Sequence, residues 1–223
     1  MNEFLWLAFA LVNFLAVTLA YKLFGKTGLL VWIGVGTILA NIQVTKTIEL
    51  FGLTATLGNI MYGTLFLVTD SLGEKYGLKD AKKAVYLGIF SLLATVIIMQ
   101  MVLLFQPGAD DFAQDSLVTI FGLLPRIALG SLTAYAIAQL FDVHIFNYLK
   151  VKQGDGKKLY ARNILSTLLS QALDTLIFVP IAFLGVFPMT IVFEIALTTY
   201  FIKVLVAALD TPFVYWIKHI RPL

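Results

Sequence analysis

Apolar residues run along the chain in seven long blocks separated by short polar or turn-forming stretches. The blocks fall at about 3–21, 28–46, 55–74, 83–105, 118–147, 164–184 and 190–216. A helix of about 20 residues crosses the hydrocarbon core of a bilayer, so each block suits one crossing. The end of the second block is indistinct, because Lys46 and Glu49 are followed by more apolar residues. A loop with Pro107, Gly108 and the acids Asp110, Asp111 and Asp115 precedes the fifth block. That block is longer than one crossing, which implies tilt, and Pro125 either kinks it or sits in its first turn. The most polar stretch, Lys150 to Arg162, reads as a loop. Ile164 to Trp216 is mostly apolar, with one break at Gly185-Val186-Phe187-Pro188, and reads as two crossings. The pattern predicts an all-α, polytopic membrane protein of seven transmembrane helices.

Composition agrees and narrows the options. Of 223 residues, 60% are apolar and only 13% charged, and mean hydropathy is +0.91. A soluble domain carries about 25% charged residues. Cysteine is absent, which excludes disulfides, thiolate chemistry and thiolate metal sites. The first residues lack a positive stretch and a small-residue cleavage signal, so 3–21 reads as a retained span and not a signal peptide.

The formal charge of +3 raises nucleic acid as a partner, but the basic residues sit in short loops, where they act as topology signals. Lys22 and Lys26, then Lys75, Lys79, Lys82 and Lys83, then Lys150, Lys152, Lys157, Lys158 and Arg162, follow the first, third and fifth blocks. Lys218 and Arg221 close the chain. The loops after the fourth and sixth blocks carry none, and the loop after the second carries only Lys46. This alternation places the N-terminus outside and the C-terminus in the cytoplasm.

Polar residues recur at helical spacing inside the blocks. The stripes are Thr37, Asn41, Thr45; Asn59, Gly63, Phe66, Asp70; Ser131, Tyr135, Gln139, Asp142; Thr167, Ser170 or Gln171, Asp174, Phe178; and Thr199, Lys203, Asp210. Steps of three, four or seven keep such groups on one face, and lipid cannot satisfy them, so the faces point inward. Small and hydroxyl residues such as Thr37, Ser131 and Thr167 also serve as interhelical glue.

Asp174 and Lys203 stand near mid-membrane on consecutive helices, and pairing lowers the cost of burying each. They are expected to face each other across a polar-lined chamber, which the resemblance given below would require to have room for a flat heterocycle. The bland alternative is a purely structural pair. Arg126 either snorkels outward past Pro125 or meets an anion or carboxylate, and Asp70, Asp142 and Glu194 lie near helix ends where water is close. No HExxH, nucleotide-binding loop, dinucleotide fingerprint or nucleophile elbow occurs, and His144 and His219 read as interfacial. No cofactor is expected.

The segments GTLFLVTDSLGEKYG (63–77), RIALGSLTAYAIAQLFDVHIFNYLK (126–150), LSTLLSQALDTLIFVPIAFLG (165–185) and TTYFIKVLVAALDTP (198–212) resemble the queuosine precursor transporter family, once described as vitamin uptake transporters. The resemblance covers about residues 28–217. It implies an inner-membrane importer of 7-deazapurine precursors of a tRNA nucleoside: queuine, preQ0 or preQ1. It divides the chain into an extra helix (1–27), a six-helix core (28–217) and a basic cytoplasmic tail (218–223).

Position by position, the family pattern matches Asn41; Thr69, Asp70, Glu74 and Gly77; Arg126, Ser131, Gln139 and Asp142; Ser166 or Thr167, Asp174 and Phe178; and Tyr200 and Lys203. Glu74 stands where some members carry a basic residue, which weakens any coupling role for it. The implied binding set is Asn41, Phe66, Asp70, Arg126, Gln139, Asp142, Asp174, Phe178, Tyr200 and Lys203. Asp174 would accept a bidentate N–H pair from the base edge, with Asn41 and Gln139 in support. Lys203 would orient Asp174 or bind the base carbonyl. Phe66, Phe178 and Tyr200 are the rings available for stacking. Arg126 and Asp70 would gate from opposite sides.

The expected partners are the substrate and the bilayer, with no nucleic acid, and a homo-oligomer is allowed. Rival readings are a substrate-binding subunit served by a separate ATPase module, a membrane-embedded enzyme using Asp70, Glu74 and Asp142, and an assembly protein with no saturable ligand.

Overall fold

The structure is a computed structural model that describes residues 1–153 and 159–223. The side chains of 139–140, 142–153, 159–167 and 207 lie outside the described set. Residues Asn2–Gln43 are helical (α1), but Gly25 sits at φ 56°, ψ −140°, a conformation that glycine adopts readily and other residues resist. A straight helix of this length would span roughly 63 Å. Yet Asn2 Nδ2 donates to Glu49 O at 2.9 Å, just beyond the helix's other end. α1 is therefore two antiparallel arms hinged at Gly25, which are the first and second expected helices.

Next comes an antiparallel hairpin, β1 (Thr47–Leu50) and β2 (Leu53–Thr56), in register Thr47↔Thr56 through Leu50↔Leu53. Its turn, Phe51-Gly52, has positive φ at both residues, 52° and 77°, the twist that suits a two-residue hairpin loop. The hairpin fills the gap between the second expected helix (28–46), which ends at Gln43, and the third (55–74), which starts at Asn59. β-Branched Thr47, Ile48, Thr54 and Thr56 favour extended backbone there.

The remaining elements are α2 (Asn59–Tyr76), α3 (Leu78–Val102), α4 (Gln114–Phe121), α5 (Leu124–Gln153), α6 (Leu159–Phe183) and α7 (Met189–His219). The fifth expected helix is interrupted at residues 122–123, between α4 and α5, and Pro125 falls in the first turn of α5, where its missing N–H costs nothing. Among the described residues, Asn2–Gln43, Leu78–Val102, Gln114–Ala138 and Met189–His219 are long and apolar enough to cross a membrane, with a shorter apolar helix at Leu168–Phe183. The protein is thus an all-α polytopic membrane protein whose only described strands form the short hairpin. On α3, Ala84, Gly88 and Leu92, spaced by four, are buried, while Tyr86, Phe90, Ile97, Ile98 and Met101 are exposed. One stripe packs and the rest of that helix suits lipid.

The helices form two groups. α1, α2, α3 and α7 share a core that includes Phe14, Tyr21, Leu67, Leu72, Ala84 and Val206. α5 and α6 pack chiefly on each other. A second core of Val44, Ile127, Ala134, Phe178, Val179 and Ile195 joins them to the first group near the hairpin. The hairpin is fastened to helices on both sides. Glu3 Oε1 accepts from Phe51 N–H (3.2 Å), Glu194 Oε2 accepts from Thr54 N–H (3.0 Å), and Thr198 Oγ1 donates to Thr54 O (2.9 Å). At the opposite end Lys26 pairs with Asp80 (2.5 Å), Lys218 with Glu74 (2.9 Å), and Lys75 Nζ donates to Ile217 O (3.0 Å). The lysines of the first and third loops therefore gather at one end with the tail.

Candidate functional site

Asp174 lies nine residues before the end of α6, or about 13 Å along the axis. Its Oδ2 pairs with Lys203 Nζ on α7, and the side chains are 18% and 11% exposed respectively. The pairing expected from the sequence is present. It also bridges the two helix groups, since α7 belongs to one and α6 to the other. Two charges at this depth are tolerable only together, because removing one leaves the other desolvated and unpaired.

Beside the pair is a cleft lined by Phe66 of α2, Tyr135 and Ala138 of α5, and Ser170, Gln171 and Asp174 of α6. It offers about 20 Å³ for the centres of water molecules, room for one or two waters. The expected chamber with space for a flat heterocycle is not present in this structure: Phe66, Tyr135, Ala138, Ser170, Gln171 and Asp174 approach closely enough to leave room only for water. Gln171 Oε1 is buried and accepts no hydrogen bond among the described residues.

A hydrogen-bonded chain crosses the same interface. Tyr62 OH and Ser131 Oγ are 2.9 Å apart, Ser131 Oγ donates to Asn41 Oδ1 at 3.2 Å, and Asn41 Nδ2 donates to Thr37 O at 2.9 Å. Tyr62 lies within electrostatic range of Asp174. Asn41 is 1% exposed and joins helices in this network; it is not among the cleft-lining residues.

Of the other expected site residues, Phe66 reaches the cleft. Phe178 packs edge-on against Phe183 in the second core, centroids 5.9 Å apart. Tyr200 meets the ring of Phe201 at 5.8 Å. Asp70 is exposed on α2, within electrostatic reach of buried Asp210 on α7. Arg126 donates from Nε to Ile181 O at 2.6 Å and from Nη2 to Leu184 O. It thereby satisfies carbonyls at the end of α6, where a helix presents unpaired acceptors and partial negative charge. Gln139 and Asp142 fall on α5, with side chains outside the described residues. Among the described residues, no group of three or more His, Asp or Glu is placed to hold a metal.

The binding set expected from the sequence omits Tyr135 and Gln171. Both stand in the polar stripes, at positions that the i, i+4 and i, i+3 rules put on the same faces as Gln139 and Asp174.

A family model described as "Putative vitamin uptake transporter" matches residues 56–217. The chain is 49% identical over 221 residues to the "Probable queuosine precursor transporter" of Bacillus subtilis (strain 168), covering 99% of this chain and 96% of that protein. It is 30% identical over 174 residues to the "Queuosine precursor transporter" of Escherichia coli (strain K12), covering 75% and 74%. A relative from Haemophilus influenzae, also named "Probable queuosine precursor transporter", is 28% identical over 134 residues, covering 60% of this chain and 54% of that protein. No solved structure matches the chain at a significant level.

Proposed function

The chain belongs to the queuosine precursor transporter family and is a membrane transporter, and from that premise we propose that it imports 7-deazapurine bases through the cleft beside Asp174 and Lys203. The observation that carries this reading is the ion pair. It is largely shielded from solvent, its Asp174 borders a cleft with two aromatic side chains, and it spans the interface between two helix groups. A base edge with N–H donors competes with Lys203 for the carboxylate. As the donors engage Asp174, the clasp between α6 and α7 loosens and the groups separate enough to admit the ring. Phe66 and Tyr135 then offer faces for stacking, and Lys203 is released toward the base carbonyl.

The alternation of basic residues supports an N-terminus outside, a cytoplasmic C-terminus and seven crossings of the cytoplasmic membrane, two of them the arms of α1. We propose a stand-alone carrier whose entry is facilitated or ion-coupled, with trapping during tRNA modification drawing the base inward; co-purification of an ATPase module with the chain would overturn this.

The test is uptake in cells that cannot make the precursors themselves, supplied with each base in turn and read by tRNA modification. Wild-type protein restores modification with at least one base. Asp174→Ala, checked for expression and folding, abolishes it. Unchanged uptake in that variant removes Asp174 from the binding site.

A further inference from the structure

Among the described residues the carboxylate of Asp174 is held at Oδ2 by Lys203, so Oδ1 is the oxygen that meets a ligand donor first, before the pair opens. A bidentate reading of two adjacent N–H groups therefore needs a second acceptor nearby.

Gln171 is three residues earlier on α6, a spacing that puts it on the same helix face as Asp174. Both line the cleft, together with Phe66 and Tyr135. Gln171 Oε1 is buried, and no described group donates to it. A carbonyl oxygen shut away from water without a donor is costly, and such groups in native proteins call for a physical reason. Its backbone carbonyl is already used by Thr175 Oγ1 at 2.9 Å, so the open acceptor is the side chain alone.

We infer that Gln171 is a specificity-determining residue of the cleft, its Oε1 and Asp174 Oδ1 together receiving two N–H donors from one edge of a planar base. This rests on the proposed base-binding function and adds to it a rule for which bases are accepted. A 2-amino-6-oxo ring, as in guanine, presents a ring N–H and an amino N–H side by side. A 6-amino ring, as in adenine, presents an amino donor beside a ring-nitrogen acceptor. The second edge sets a lone pair against a lone pair and leaves both unpaired on burial. Sites built to hydrogen-bond a substrate reject such mismatched analogues strongly.

The experiment measures binding of 7-deazaguanine and 7-deazaadenine to purified wild-type protein, Gln171→Leu and Gln171→Glu, with a melting curve for each. Wild type binds 7-deazaguanine at least about 100-fold more tightly than 7-deazaadenine. Gln171→Leu keeps side-chain bulk but has no acceptor. It loses about 10- to 100-fold in affinity for 7-deazaguanine and loses much of the preference. Gln171→Glu, which retains acceptor oxygens, keeps the preference. Gln171→Leu that melts like wild type and binds both bases as wild type does overturns the inference and leaves base binding intact. A Gln171→Glu variant that folds but prefers neither base overturns it as well. If wild type binds neither base, the substrate reading fails, and the inference falls with it.

Discussion

Removing the charges of Asp174 and Lys203 singly and together separates a structural pair from a working one. The perturbations are Asp174→Asn, Lys203→Met and the double variant. Each single change leaves one desolvated charge opposite a neutral group. For a fully buried pair that costs about 3–5 kcal/mol. With side chains 18% and 11% exposed, partial hydration trims this to about 2–4 kcal/mol. For a chain of this size each kcal/mol moves a melting midpoint by about 2–4 °C, so each single variant should melt roughly 5–15 °C lower. The double variant has no charge to desolvate and should return to within about 1 kcal/mol of wild type. The cycle then yields a coupling energy of about 2 kcal/mol or more between neighbours. Melting is followed by tryptophan fluorescence in detergent, and uptake is measured in parallel. All three variants should fail to transport, including the double variant whose stability is restored. Single variants that melt with wild type would refute the burial argument. A double variant that transports normally would refute the functional one and leave a structural clasp.

Two further expectations follow from packing. Arg126→Gln loses the bonds to Ile181 O and Leu184 O and should destabilise the protein by about 1–3 kcal/mol, leaving base affinity unchanged; lost affinity with unchanged melting would return Arg126 to the substrate path. A Cβ on Gly63 would lie 1.9 Å from Val206 Cγ1, so Gly63→Ala should cost about 1–3 kcal/mol by overpacking. Adding Val206→Ala should recover most of that loss in the same melting assay, and a neutral Gly63→Ala would show that α2 and α7 can separate freely.

The helices are legible in the sequence because an apolar block of crossing length is too long for a soluble core and fits a bilayer. Asp174 with Lys203 is legible because charge in lipid demands a partner. The hairpin is not, because Ile48, Leu50, Phe51, Leu53 and Ala55 make Thr47–Thr56 merge with the apolar blocks on either side. Its signals are local: β-branched residues either side of Phe51-Gly52, a turn pair that period-counting over long windows averages away. Arg126 reads as a gate, since a sequence does not reveal that the carbonyls ending a different helix lie within its reach. Asn41 reads as a ligand contact for a similar reason. Its amide is costly to bury, but Ser131 and Thr37 already answer it. The cleft itself depends on which stripes converge. That is a property of how α5 and α6 set against α2, and no single helix carries it.

The salt bridge has an electrical consequence. Asp174 and Lys203 cancel, so the centre of the protein presents no net charge from this pair to the transmembrane field. Moving one elementary charge through 100 mV is worth about 2.3 kcal/mol. If entry is facilitated along the proposed path, an uncharged base passing this neutral waist does no such work, and its distribution across the membrane is indifferent to voltage. A precursor bearing a protonated amine would then be drawn inward by an interior-negative potential, so the same path would accumulate the cationic compound and only equilibrate the neutral one.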